Sequence, residues 1–151
     1  MKYDGLLLFS DSQAITATTT STNGLDWGTI TRQMGIGNSL YVVTVVTVAM
    51  TDAGSNSTIT VALGTDDNAA FSSETTGVQT LYVIPAVQAI GAQFIARLQP
   101  ITTPEEFCRL TYTTTNGDLT TGSFTSFITD NVQAWTAYPK GFTVSSAEQF
   151  S

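Results

Sequence analysis

The strongest strand signal in the chain is residues 40–50, eleven residues without Gly or Pro and dominated by β-branched side chains. Both of its alternating sets are largely apolar: Leu40, Val42, Thr44, Val46, Val48 and Met50 on one side, Tyr41, Val43, Val45, Thr47 and Ala49 on the other. Neither face expects open water, so the run predicts a central strand rather than an edge. At about 3.3 Å per residue it spans roughly 36 Å, which leads us to expect that it bends or serves two sheets. Alternation recurs downstream. Ile59, Val61 and Leu63 share one face of residues 58–63; residues 79–84 form a strand stopped by Pro85; Phe94, Ala96 and Leu98 point inward from residues 91–98, with Gln93 and Arg97 outward. Residues 107–115 place Cys108, Leu110 and Tyr112 on one face and Arg109, Thr111 and Thr113 on the other, and residues 121–129 align Phe124 and Ile128.

Turn chemistry separates these runs. Asn23-Gly24 and Asn116-Gly117 are pairs that accept positive φ in tight hairpins, the first implying a return strand through Leu25, Asp26 and Trp27. Residues 51–57 are a loop by every breaker rule. Seven or eight short strands with turn signals between them, and no convincing helix, predict an all-β protein, an antiparallel β-sandwich of jelly-roll type with extended termini. One domain covers residues 1–151, with residues 130–151 as an extended C-terminal tail.

Composition changes the picture in one respect: the surface lacks charge. Only 11% of residues are charged against 42% hydrophobic, and 28 threonines supply hydroxyls in place of salt bridges. The net charge of -7 opposes both a phosphate backbone and an anionic membrane, so neither nucleic acid nor membrane is an expected partner. The opening residues are too short a run and too close to acid for a signal peptide, and no stretch of eighteen apolar residues exists; synthesis in a cytoplasm is the expectation.

Candidate chemistry is sparse. With no histidine and a single cysteine, Cys108, the usual catalytic triads, zinc sites and internal disulfides lose their components. The carboxylate pairs Asp66-Asp67 and Glu105-Glu106 are adjacent residues, which point apart where a glycosidase needs facing carboxylates. Asp66-Asp67-Asn68 lacks calcium-loop spacing and reads as a solvated loop. Cys108 reads as a small buried hydrophobe. The residues therefore leave nucleophilic catalysis little to work with and predict no catalytic residues, no cofactor and no metal, while a small glycoside hydrolase using Glu105 and Glu106 stays as a third reading. Two stretches carry more apolar surface than any alternating strand explains, the run Leu6, Leu7, Leu8 and Phe9 and the aromatic tail with Trp135, Tyr138 and Phe142. Each must be covered by its own domain or by a partner, and both are candidate subunit or partner contacts.

A resemblance rests on residues 7–16, Leu-Leu-Phe-Ser-Asp-Ser-Gln-Ala-Ile-Thr, on Ser21, Thr22 and Asn23 leading to Leu25 and Asp26, and on Ala137, Tyr138, Pro139, Lys140, Gly141 and Phe142. In these stretches, and in order and length throughout, the chain resembles the capsid cement, or head decoration, proteins of Bordetella-phage-type short-tailed bacteriophages. The resemblance implies a jelly-roll-like β protein on the exterior of the virion capsid, made in the host cytoplasm. It implies binding to the outside of an expanded icosahedral shell, where the protein bridges neighbouring major capsid protein subunits as a symmetric oligomer, most simply a homodimer. Asp11, Pro139 and Phe142 join the interface candidates through these motifs. A threonine-rich stretch after Ala14 and the residues from Ser145 to Ser151 depart from the pattern. Many copies of a modest contact suffice for such a role, and a contact with few charges holds across ionic conditions. The alternative from another class is a carbohydrate- or receptor-binding sandwich module, with Trp27 beside Asp26, or Trp135 beside Gln133 and Asp130, as the aromatic platform.

Overall fold

The computed structural model describes residues 5–26, 39–99, 105–130 and 132. Among the described residues, a 3-10 turn, Gly5–Leu7, is followed by nine strands: β1 (Leu8–Ala14), β2 (Thr19–Thr20), β3 (Leu25–Asp26), β4 (Tyr41–Thr51), β5 (Thr58–Asp66), β6 (Thr75–Pro85), β7 (Gln93–Arg97), β8 (Phe107–Thr115) and β9 (Thr121–Thr129). They build a four-stranded sheet in the order β1-β9-β4-β7 and a five-stranded sheet in the order β2-β8-β5-β6, with β3 added to β8. All pairings are antiparallel. This interleaving, in which the chain passes from one sheet to the other at most connections, is the jelly-roll order expected from the strand pattern.

The strand β4 is interior, flanked by β9 and β7. It stays in one sheet and bends: its register against β9 shifts between Val46 and Val48 and again between Val48 and Thr51. An extra residue at each shift exchanges the faces, so Val48 leaves the inward set and is exposed while Val42, Val46 and Met50 remain buried. Simple alternation placed Val48 with them; the bulges overrule it.

The Asn-Gly pairs behave differently from one another. Asn116 and Gly117 both adopt positive φ, 65° and 114°, as a tight turn requires, but the turn arches from β8 in one sheet to β9 in the other. Asn23-Gly24 closes no hairpin, because β2 and β3 run one after the other along β8. Instead the Asn23 amide donates to the Leu8 carbonyl, tying this segment to the start of β1. Gly24 is needed for space: a Cβ there would lie 2.7 Å from the Phe71 ring.

Between the sheets lies one apolar core, with Phe9, Ile15, Ile59, Leu63, Leu110 and Phe124 among its fully buried members. Cys108 is buried there as a small hydrophobe. Through its middle runs a layer of hydroxyls. Ser10, Ser126 and Thr44 are register partners across β1, β9 and β4, while Tyr112 and Tyr82 flank Val61 on the facing sheet. The Tyr112 hydroxyl is 2.8 Å from Ser10 Oγ and donates to Ser126 Oγ at 2.9 Å. Ser126 Oγ lies 2.7 Å from Thr44 Oγ1, which accepts from the Tyr82 hydroxyl at 2.6 Å. Small hydroxyl residues on one sheet thus make room for two tyrosines from the other, and buried polar atoms satisfy each other.

Candidate interaction surfaces

The segment proposed from sequence as a contact divides when folded. The register of β1 against β9 shifts between Leu8 and Ser10, and both Phe9 and Ser10 end up buried. Phe9 belongs to the inter-sheet core with Leu7 packed against it, so Phe9 offers no surface to a partner. Leu6 is exposed, Leu8 lies half-buried beside Phe127, and Asp11 is exposed where a second shift and the positive φ of Ser12, 45°, bow the strand outward. Of this group, Leu6, Leu8 and Asp11 remain on the surface. Trp135, Tyr138, Pro139 and Phe142 lie outside the described residues, as do Trp27 and Gln133 of the aromatic platforms.

The apolar surface that sequence reasoning missed lies on the opposite flank, where β6 and β7 border the two sheets. Five of the six exposed large hydrophobic side chains among the described residues, Val48, Val83, Val87, Ile90 and Ile95, belong to β4, β6, β7 and the connection between β6 and β7. The connection 86–92 runs alongside β4: Gly91 N donates to Val46 O, and Met50 N donates to Gln88 O. This brings Ile90 and Val87 beside the displaced Val48. A single amide joins the two sheets at this flank, because Gln79 on β6 donates to Arg97 O at 2.8 Å and accepts from Gln99 N at 2.9 Å. No acidic residue occurs from residue 75 to residue 104, although the chain holds twelve acids; Arg97 is the single charge in that stretch. The signal was present in the sequence as this acid-free window, which alternation does not register.

Across the outer face of the four-stranded sheet, Leu8, Phe127, Val43 and Ile95 line up as register partners, one from each strand. Phe127 and Val43 are fully buried, although neither belongs to the inter-sheet core. Ile95, at 42% exposure, is the end of this apolar row that reaches solvent.

Charge is concentrated on the 66–75 connection and is already engaged. Asp66 is buried rather than solvated, accepting from Asn68 N, Ser73 N and Ser73 Oγ at 2.9 to 3.1 Å. Burial acts against its charge, yet the hydrogen bonds, led by the Ser73 amide, outweigh it and hold the carboxyl below its ordinary range. Adjacent acids in a loop suggested solvation; the loop instead folds back around the first of them. Asp67 and Asn68 are exposed. Glu74 pairs with Arg109, whose guanidinium lies 4.3 Å above the Phe71 ring, and Glu105 accepts the hydroxyls of Thr65 and Thr75. These carboxylates serve the loop's own geometry. Asp66→Asn is expected to lower stability at neutral pH. Because the folded-state pKa is depressed, the wild-type advantage is present above the ordinary carboxylate range and disappears as pH falls through the folded value. Urea titrations of both proteins from pH 7 to pH 3 check this; a constant difference across that range would contradict it.

Among the described residues no three His, Cys, Asp or Glu side chains converge as metal ligands, and no helix is long and apolar enough to cross a membrane. What the described surface offers is contact area: exposed aliphatic side chains in and beside an acid-free stretch of chain, and a polar edge at β1. Comparison with curated proteins gives no match. The Bbp16 family model matches residues 9–128, from Phe9 in β1 to Ile128 near the end of β9, which is the whole sandwich. The family's name suggests a Bordetella phage protein. On a match of that extent, the chain belongs to the Bbp16 family.

Proposed function

We propose that this protein is a structural component of a phage virion, bound to the outer surface of an icosahedral capsid and stabilising it by bridging neighbouring major capsid protein subunits. It is not an enzyme in this reading, and its partners are the shell protein and further copies of itself. The observation that carries the proposal is the acid-free aliphatic flank on a Bbp16 sandwich whose net charge is -7. A protein of that charge needs a neutral face to settle on another protein, and aliphatic contact is insensitive to salt where surface ion pairs are not.

The test is co-sedimentation of the purified protein with expanded, empty capsids lacking it, at low and at high salt. Saturable binding at about one copy per capsid subunit, retained at high salt, is the expected outcome, since screening at 1 M salt acts beyond about 3 Å. Absence of binding by folded protein would overturn the proposal. Binding lost at high salt would assign attachment to charged groups instead of the flank.

A further inference from the structure

The two Asn-Gly pairs, Asn23-Gly24 and Asn116-Gly117, both reach solvent, and neither closes a hairpin within one sheet. Such a pair carries chemistry of its own. The main-chain nitrogen of the glycine can attack the side-chain amide carbon of the asparagine, because glycine has no side chain to keep the two apart. Reaching that geometry takes a rotation of the peptide joining the two residues. Whatever holds the peptide therefore suppresses the reaction.

At Asn23-Gly24 the peptide is held. Asn23 O accepts from Ser21 Oγ at 2.8 Å, Asn23 N donates to Phe9 O at 2.9 Å, and the side-chain amide donates to Leu8 O at 3.1 Å. Turning the peptide breaks the bond to Ser21, and the Phe71 ring against Gly24 leaves it little room to move. At Asn56-Ser57 the attacking atom is itself engaged, since Ser57 N donates to Asp52 Oδ2 at 3.0 Å. Asn116-Gly117 lacks these restraints. Gly117 N donates to no atom of the described residues, and a Cβ added there would meet nothing nearer than Ser57 Oγ at 3.7 Å. Among the described residues the Asn116 side chain has one tie, from Nδ2 to Asn56 O at 3.3 Å, longer than the usual range.

We infer that Asn116 is a self-modifying site, where the folded protein converts this asparagine to aspartyl and isoaspartyl residues with water as the only co-reactant. Gly117 N gives its proton to solvent and bonds to Asn116 Cγ; the Cγ–Nδ2 bond breaks, and Nδ2 takes a proton from solvent and leaves as ammonia. One water molecule then opens the five-membered succinimide. Breaking its bond from nitrogen to Cγ gives an ordinary aspartate. Breaking its bond from nitrogen to the main-chain carbonyl carbon gives an isoaspartate, whose main chain runs through Cβ and Cγ. Either product adds one negative charge to the net -7, close to Asp118, and removes the amide that ties this arch to Asn56. The isoaspartate also lengthens an arch pinned on its far side, where Leu119 N donates to Thr16 O and Thr120 N to Thr51 O, each at 2.8 Å. The turn that carries the chain from one sheet to the other thus records the age of the molecule. This inference goes beyond attachment to a shell and does not depend on it.

Incubating the full chain in mildly alkaline buffer and mapping its peptides by mass spectrometry tests the inference, with aspartyl and isoaspartyl forms separated by chromatography. The folded protein is expected to convert at Asn116 about tenfold faster than at Asn23, or more, a factor consistent with the loss of about two restraining hydrogen bonds. The same chain unfolded in concentrated urea is expected to convert both pairs at similar rates, which assigns the difference to the fold. On isoelectric focusing the wild type is expected to gain an acidic species that Asn116→Gln, whose longer side chain closes a ring far more slowly, does not develop. A folded wild type in which Asn116 stays intact, or in which Asn23 converts as fast, would overturn the inference. So would an acidic species that grows equally in Asn116→Gln.

Discussion

Phe9→Ala is expected to cost about 3–5 kcal/mol of unfolding free energy, the range for deleting a buried aromatic and leaving a cavity. Phe9 is fully buried in the inter-sheet core, although it sits in the very run that sequence alone marks for partner contact. Against a typical total of about 5–15 kcal/mol this is a large fraction, and for a chain of this length a fall in Tm on the order of 10 °C. Leu6→Asp, three residues earlier on an exposed turn, is expected to leave stability nearly unchanged. Thermal and urea unfolding of the two variants checks the contrast. Equal, small effects would mean that Phe9 does not anchor the sandwich.

Tyr112→Phe is the second large effect, expected at about 1–3 kcal/mol, because Ser10 and Ser126 each lose a hydrogen-bond partner inside the core. The same layer gives the fold an alkaline limit. Burial pushes the phenol pKa of both Tyr82 and Tyr112 upward, more than their hydrogen bonds to Thr44, Ser10 and Ser126 pull it down. With the folded-state pKa raised, the contribution to stability is fully present below the ordinary tyrosine value, near pH 10. It is lost as pH rises above that value, because the unfolded chain releases protons that the folded chain retains. Urea midpoints from pH 8 to pH 11.5 should fall steeply for the wild type and less steeply for Tyr112→Phe. Parallel curves would show that Tyr112 does not carry the dependence.

Much of this sandwich was readable from alternation. The inward sets of β5 and β8 are buried as their period requires, Ile59, Val61 and Leu63, and Cys108, Leu110 and Tyr112, whereas of the β7 set Leu98 is buried and Phe94 and Ala96 are half-buried. Alternation fails where an extra residue enters a strand. Val48 turns outward and Phe9 and Ser10 both turn inward because register shifts, which depend on the partner strand, exchange faces that a period of two keeps fixed. Turn chemistry showed the same division: Asn116-Gly117 supplied the positive φ, but which sheet the next strand joins is a tertiary choice. The hydroxyl layer escaped notice because Ser10, Thr44 and Ser126 are unremarkable one at a time and become a row only once three strands are in register. The proposed contact surface was the least legible. Apolar runs drew attention to β1, whereas the exposed flank collects single aliphatic residues from β4, β6, β7 and a connection, and its clearest mark is an absence of acids between Glu74 and Glu105.

If this sandwich reinforces a shell, heating saturated capsids will reveal it. Expanded capsids are brought to saturation with the protein, warmed beside undecorated capsids, and followed by light scattering and electron microscopy. A protein that binds only the assembled state raises the disruption temperature, and does so more at higher free concentration. That rise is the expected result. Saturated capsids that come apart at the same temperature as bare ones would contradict it.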